Sequence, residues 1–170
     1  REIASLAASR GVEVRSAGRS ELDSLAGGMR HQGVVAVAGL PPAAGVGLDG
    51  LLETVRASGE PAFLVVLDEV EDPRNAGAIV RTAECAGAHG LVMTSFRSAP
   101  LGAGMEKASA GAIERLPVAR VVNLRSALSR LREAGCWIVG ADASGPKEYT
   151  RADLSGPVAL VLGGEGRGLR

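Results

Sequence analysis

The sequence predicts an α/β chain built on a mostly parallel sheet with helices on both faces. Three observations carry that expectation. From Pro61 onward, short aliphatic runs alternate with amphipathic stretches, and no hairpin turn pair joins one run to the next. The chain has 170 residues, 46% of them hydrophobic, enough for one α/β core and part of a second unit.

The elements follow in order. "EIASLAASRG" (2–11) reads as a helix, "VEVRSA" (12–17) as a short strand, "SELDSLAGG" (20–28) as a second, capped helix and "GVVAVAG" (33–39) as a strand. This is a βα-type fragment, too short to be a domain alone. "LPPAAGVG" (40–47) has no periodicity, which places a boundary near Leu40 to Leu48, and the small amphipathic helix "LDGLLETVRAS" follows it. "AFLVVLDEV" is then a buried strand, "NAGAIVRTAECAG" a helix with its apolar face on Ile79, Ala83 and Ala86, "GLVMT" a strand, "MEKASAGAIERL" a helix and "VARVV" a strand. The helix "LRSALSRLREAG" and the strands "CWIVGAD" and "PVALVLGG" complete the set. Ligands of such sheets gather at the carboxyl ends of the strands, where the loops "DEVEDPRNAG", "GADASG" and "GGEGRG" fall.

Composition narrows the function classes. No run approaches the roughly 18 apolar residues of a membrane span, no secretory leader pattern opens the chain, and Cys85 and Cys136 are too few for a disulfide framework. The expected compartment is a reducing cytoplasm. A net charge of zero does not announce a strongly basic nucleic-acid binder. All but two of the 19 basic residues are Arg, the exceptions being Lys107 and Lys147; this suits bidentate phosphate contacts, and a GC-rich coding bias also explains it. Aromatic residues make up 2% and lie mostly far apart, so no base-stacking platform is expected and any RNA contact would run through Arg, backbone and shape. His31 and His89 have no ligand-spaced partner, so no metal is expected.

Three residues stand out chemically. Asn75 is placed to cap a helix. Arg81 interrupts an otherwise small and apolar helix: buried, it would need an anion in a facing pocket; exposed, it would be a solvated charge. Glu165 lies among Gly163, Gly164, Gly166 and Gly168, where a carboxylate on bare backbone can turn inward while the flanking N–H groups stay free for a ligand. The spacing of "GGEGRG" and its place after the last strand argue against a dinucleotide fingerprint.

"LDEVEDPRNAGAIVRTAECAGAHGLVM", "KASAGAIERLPVARVVNL", "WIVGADASG" and "VALVLGGEGRG" together resemble the SpoU (TrmH) family of RNA ribose 2′-O-methyltransferases, most closely the branch that modifies large-subunit ribosomal RNA. "MRHQGVVAVA" looks like that branch's junction between a small RNA-binding domain and the catalytic one. The resemblance implies a trefoil-knotted, SPOUT-type methyltransferase domain over 61–170, truncated before a third motif expected beyond Arg170, with 43–60 as linker and short helix. Residues 1–42 would be the tail of an RNA substrate-binding domain. It further implies S-adenosylmethionine as cofactor, held by Gly140, Ala141, Leu162, Gly163, Gly164 and Gly168, the adenosine lying at Ala141, Leu162 and Gly163. Asn75, Arg81 and Glu165 would be catalytic. Arg81 is a poor base at neutral pH and is expected to clamp the forming alkoxide or adjacent phosphate, its fork fixed by Asn75 and Glu165, so that Arg81 and the glycine bend converge over one cavity. RNA, as large-subunit rRNA, and a second copy in a homodimer are the implied partners. Two alternatives stay open: a non-catalytic RNA-binding or assembly module of the same fold, and a nucleotide- or NAD-binding α/β enzyme.

Overall fold

The computed structural model describes residues 2–27, 30–37 and 46–170. The chain divides into two compact units, Arg1–Leu40 and Pro41–Arg170. The first holds helices α1 (Glu2–Ser9) and α2 (Arg19–Leu25); Gly18 precedes α2 without a side-chain cap, contrary to the capped start expected. Residues 12–17 form no strand. Val12 and Val14 are more than half exposed, and a strand without a neighbour leaves its backbone groups to water. Residues 33–37 likewise form no strand, and Ala38 and Gly39 lie outside the described residues, as does most of the expected boundary from Leu40.

The second unit opens with α3 (Leu48–Ser58), which ends on Gly59 in the left-handed conformation. Strand β1 (Phe63–Asp68), helix α4 (Pro73–Cys85) and strand β2 (Gly90–Thr94) follow. The expected helix "MEKASAGAIERL" is two pieces. Helix α5 (Ala103–Ala108) stops where Ala110 and Gly111 both take positive φ, and a single 3₁₀ turn, Ala112–Glu114, tucks Ala112 and Ile113 into the core. Strand β3 (Val118–Val121), helix α6 (Leu124–Glu133, capped by the Asn123 side chain on the Ser126 N–H), and strands β4 (Trp137–Ala141) and β5 (Val158–Gly163) complete the unit.

All five strands run parallel in the order β3-β2-β1-β5-β4. Strand β5 is therefore inserted between β1 and the edge strand β4, pairing Leu67 with Leu162 and Asp68 with Gly163 on one side and Ala141 with Leu162 on the other. One apolar cluster covers one sheet face, with Val65, Leu67, Leu91 and Met93 under Val80 of α4 and Met105 of α5. A second covers the other, with Leu64, Val66, Val92, Ala159 and Val161 under Leu51 of α3 and Leu131 of α6. Helices thus lie on both faces, as the alternation of periods implies. The buried face of α4 is Ala76, Gly77, Val80 and Ala83; Ile79 is half-buried and Ala86 exposed, so the expected face is rotated. Gly77 explains the rotation. A Cβ there would come within 2.5 Å of the Ala108 Cβ, so α4 turns its barest side to α5. No helix among the described residues is long and apolar enough to cross a membrane.

Candidate active site

The carboxyl ends of β1, β4 and β5 bring together the three loops singled out in the sequence. After β1 the chain turns sharply: Glu69 has φ 56°, a left-handed conformation that costs a non-glycine residue about 1–3 kcal/mol and persists where surrounding structure enforces it. Asp72, not Asn75, caps α4, its carboxylate accepting from the Arg74 N–H at 2.8 Å with Pro73 at the first helical position. The Arg74 side chain donates to the same carboxylate and, more than any other contact, holds its pKa below the ordinary value. Because Asp72 takes the cap, the Asn75 side chain is released for another partner.

That partner is Glu165. Asn75 Nδ2 donates to Glu165 Oε1 at 2.6 Å across 90 residues of chain, and this bond is the main reason the Glu165 carboxyl is held below its usual value. Glu165 sits in a tight turn after β5, closed by an antiparallel bridge between Gly164 and Gly168 with the Gly168 N–H donating to the Gly164 carbonyl at 3.1 Å. The glycines are required by the chain itself. A Cβ on Gly163 would fall on the Gly168 carbonyl, and one on Gly164 would fall on the Glu69 carbonyl. A Cβ on Gly140 of β4 would come within 2.5 Å of the Leu169 side chain, and Gly168, at φ 68°, faces Asp142 of the "GADASG" loop. Asp142 in turn accepts from the Ser144 hydroxyl and N–H, which lower its pKa.

Beyond the turn, the Arg170 N–H donates to Asp68 Oδ2 at 3.0 Å, and its guanidinium reaches Glu69 Oε1 at 2.9 Å. Asp68 is 3% exposed and its Oδ1 has no hydrogen-bond partner; Arg170 Nη2 lies 3.6 Å away. Glu69 also accepts from Arg97 Nη1 at 3.3 Å. Glu69 and Arg97 line a cavity of about 420 Å³ together with Glu71, Gly164, Glu165, Arg167 and Gly168. Asp68, Glu69, Glu71, Arg97 and Arg167 were not singled out from the sequence. The available signal was the pair of acids ending the apolar run "AFLVVL".

Of the residues singled out beforehand, Asn75, Glu165, Gly164 and Gly168 are brought together. Gly140, Ala141, Leu162 and Gly163 lie beside them on the ends of β4 and β5 but do not line this cavity. Arg81 is exposed and makes no hydrogen bond or ion pair among the described residues. On an ideal helix it stands about 9 Å along the axis and about 120° around from Asn75. Asn75 and Glu165 bond to each other, and among the described residues neither bonds to the Arg81 guanidinium. His89 accepts from the Phe63 N–H and His31 pairs with Asp23, both local structural contacts.

The model of the SpoU rRNA methylase family matches residues 62–170, and that of the RNA 2′-O ribose methyltransferase substrate-binding family matches residues 1–42. A Bacillus subtilis protein named as a TrmH family tRNA/rRNA methyltransferase is 43% identical over 99% of this chain and 66% of its own length. A Xylella fastidiosa 23S rRNA (guanosine-2′-O-)-methyltransferase is 42% identical over 95% of this chain and 64% of its own. The chain thus spans about half to two thirds of the curated relatives it matches, from 53% to 66%. Among solved structures, the AdoMet-bound rRNA methyltransferase from Sinorhizobium meliloti superposes with a TM-score of 0.59 at 34% identity, over 65% of this chain and 43% of that one. The SpoU methyltransferase AviRb from Streptomyces viridochromogenes, also with AdoMet, gives 0.59 at 30%, over 65% and 44%.

Proposed function

The chain belongs to the SpoU rRNA methylase family, and on that footing we propose that it transfers a methyl group from S-adenosylmethionine to a ribose 2′-hydroxyl of RNA, of the ribosomal large subunit. The observation that carries the reading is the Asn75–Glu165 bond, which ties the first turn of α4 to the glycine turn after β5 at the strand ends where a ligand belongs.

The residues present suit the cofactor. The cavity is of the size small-molecule sites occupy, about 300–1,000 Å³. Of its three carboxylates, Glu69, Glu71 and Glu165, the first two match a sulfonium and an ammonium; its guanidinium groups, Arg97 and Arg167, match a carboxylate. Gly164 and Gly168 would offer backbone to the ligand, with Gly140, Ala141, Leu162 and Gly163 beside them on the sheet. When bound, the cofactor supplies a methyl carbon already activated on sulfur. What the chain must add is position and charge. Asn75 and Glu165 fix the turn, while Arg81, exposed and uncommitted among the described residues, is available to an RNA phosphate or to the negative charge developing on the ribose oxygen. A trefoil knot, a homodimer and a division into an RNA-binding tail over 1–42, a linker and a catalytic unit from 61 belong to the same proposal. Support for a homodimer comes from the edge strand β4, whose Trp137 is 76% exposed.

The test is methyl transfer by the full-length protein. Incubation with labelled S-adenosylmethionine and large-subunit rRNA lacking its 2′-O-methyl groups is expected to place label on a ribose, located by mass mapping. Arg81→Lys, which keeps the charge but loses the fork, is expected to reduce transfer at least tenfold while leaving cofactor affinity unchanged. Failure of the wild-type protein both to bind the cofactor and to label RNA would leave a non-catalytic module.

A further inference from the structure

Of the loop after β2, Ser95 to Ser98, the reading above uses Arg97 alone, and the construction of the loop is unusual. Phe96 is 70% exposed although the loop adjoins a core that takes in Ala99 three residues later. It is not exposed through slackness. The buried Thr94 hydroxyl donates to the Phe96 carbonyl at 2.8 Å, and Arg120 Nη2 donates to the Ser95 carbonyl at 3.0 Å. Arg97 is held at φ 50° with its guanidinium on Glu69, and the Ala99 N–H donates to the Val70 carbonyl at 2.9 Å. The backbone is thus tied on both sides of a phenyl ring left in water. Glu69 and Arg97 are two of the three non-glycine residues with positive φ among the described residues; they bond to each other and line the same cavity. Strain of this kind persists where a site requires it.

We propose that Phe96, flanked by Arg97 and Arg120, is a stacking platform for an unpaired base of the RNA substrate at the rim of the cofactor cavity. An exposed ring on a loop that Arg120 also reaches suits a single-stranded nucleotide: the ring takes the base and Arg120, itself exposed, a neighbouring phosphate. A rigid loop takes the base without first having to be ordered. Sparse aromatic content argued against such a platform in the sequence; one well-placed ring beside the site is enough. The inference rests on the methyltransferase reading for the identity of the RNA, but it is tested by binding as well as by turnover.

The full-length protein would be titrated with fluorescein-labelled single-stranded oligoadenylate and with an RNA duplex of equal charge, and its kinetics measured on undermethylated large-subunit rRNA. Phe96→Ala is expected to weaken single-strand binding and raise the RNA KM about tenfold, within the range of base–aromatic stacking. Duplex affinity, cofactor affinity and kcat at saturating RNA should change less than twofold. The salt dependence of binding should keep its slope, because no charge is lost. Phe96→Tyr should restore affinity and Phe96→Leu should not. Unchanged single-strand affinity in Phe96→Ala, or full rescue by Leu, would overturn the platform while an active wild-type enzyme left the methyltransferase reading intact. A Phe96→Ala variant that dissociates in sedimentation velocity would show the ring packing against a second copy and overturn it too. Cofactor binding and RNA binding without transfer would sink only the methyltransferase reading; wild-type protein that binds no RNA would sink both.

Discussion

Asn75 and Glu165 are 90 residues apart in sequence and 2.6 Å apart in space, and their bond sets the protonation of the turn. The Glu165 carboxyl is lowered chiefly by Asn75, so the folded chain gives up this proton more readily than the unfolded one. The stability linked to that bond is therefore full above the ordinary carboxylate range and is lost as pH falls through the lowered value. Asn75→Ala is expected to move the Glu165 titration, followed by carboxyl carbon chemical shifts, upward toward the ordinary value, and to shift the acid limb of cofactor binding the same way. Both residues could be found in the sequence, Glu165 as a charge between two glycines and Asn75 as a polar residue at a helix start. The role of Asn75 could not be: Asp72, three residues earlier, is an equally good cap and wins that position with Pro73 behind it. Asp68, Glu69 and Arg97 were hidden for a different reason. Their meaning lies in positive φ angles and in contacts 28 and 102 residues away, neither of which a local pattern carries.

At the level of elements, period alone located all five strands, and α3 was read to the residue. It failed where small residues remove the signal. In "MEKASAGAIERL" Ala and Gly give no amphipathic contrast, and the chain breaks there into α5 and a 3₁₀ turn; in α4, close approach at Gly77 chose the buried face. Two residues in the amino-terminal unit, Val12 and Val14, have strand propensity without a sheet to join, so propensity yields no strand. Glycine as a packing device makes a sharp prediction at Gly90. A Cβ there would meet the Pro117 carbonyl at 2.9 Å and the Leu51 side chain. Gly90→Ala is expected to destabilise the unit by about 1–3 kcal/mol in urea unfolding, with the m-value unchanged. Pairing it with Leu51→Ala should recover part of that loss, since the two side chains compete for one space.

Across the whole molecule, the alternation of strand and helix implied a parallel sheet covered on both faces, and the two apolar clusters are its realisation. The strand order was not legible, because any of several right-handed windings buries the same residues. In the order adopted, β5 lies inside the sheet while coming last of the five in the chain, and it pairs with β1 from Val158 to Gly163 and with β4 from Val158 to Leu162. Synthesis on the ribosome therefore delivers β4 well before the strand that must bind it. Until residue 163 clears the exit tunnel, β4 is an orphan and the flank of β1 lies open, a state prone to intermolecular pairing. Pulse proteolysis of stalled nascent chains is expected to find β1 to β3 protected early and the β4 region cut until β5 emerges, with both gaining resistance in one step. A midpoint of protection for β4 that precedes β5 would contradict this order of assembly. Slow closure of this kind also makes the molecule a natural client for chaperones, a demand set by where one strand sits and not by how much apolar surface the chain carries.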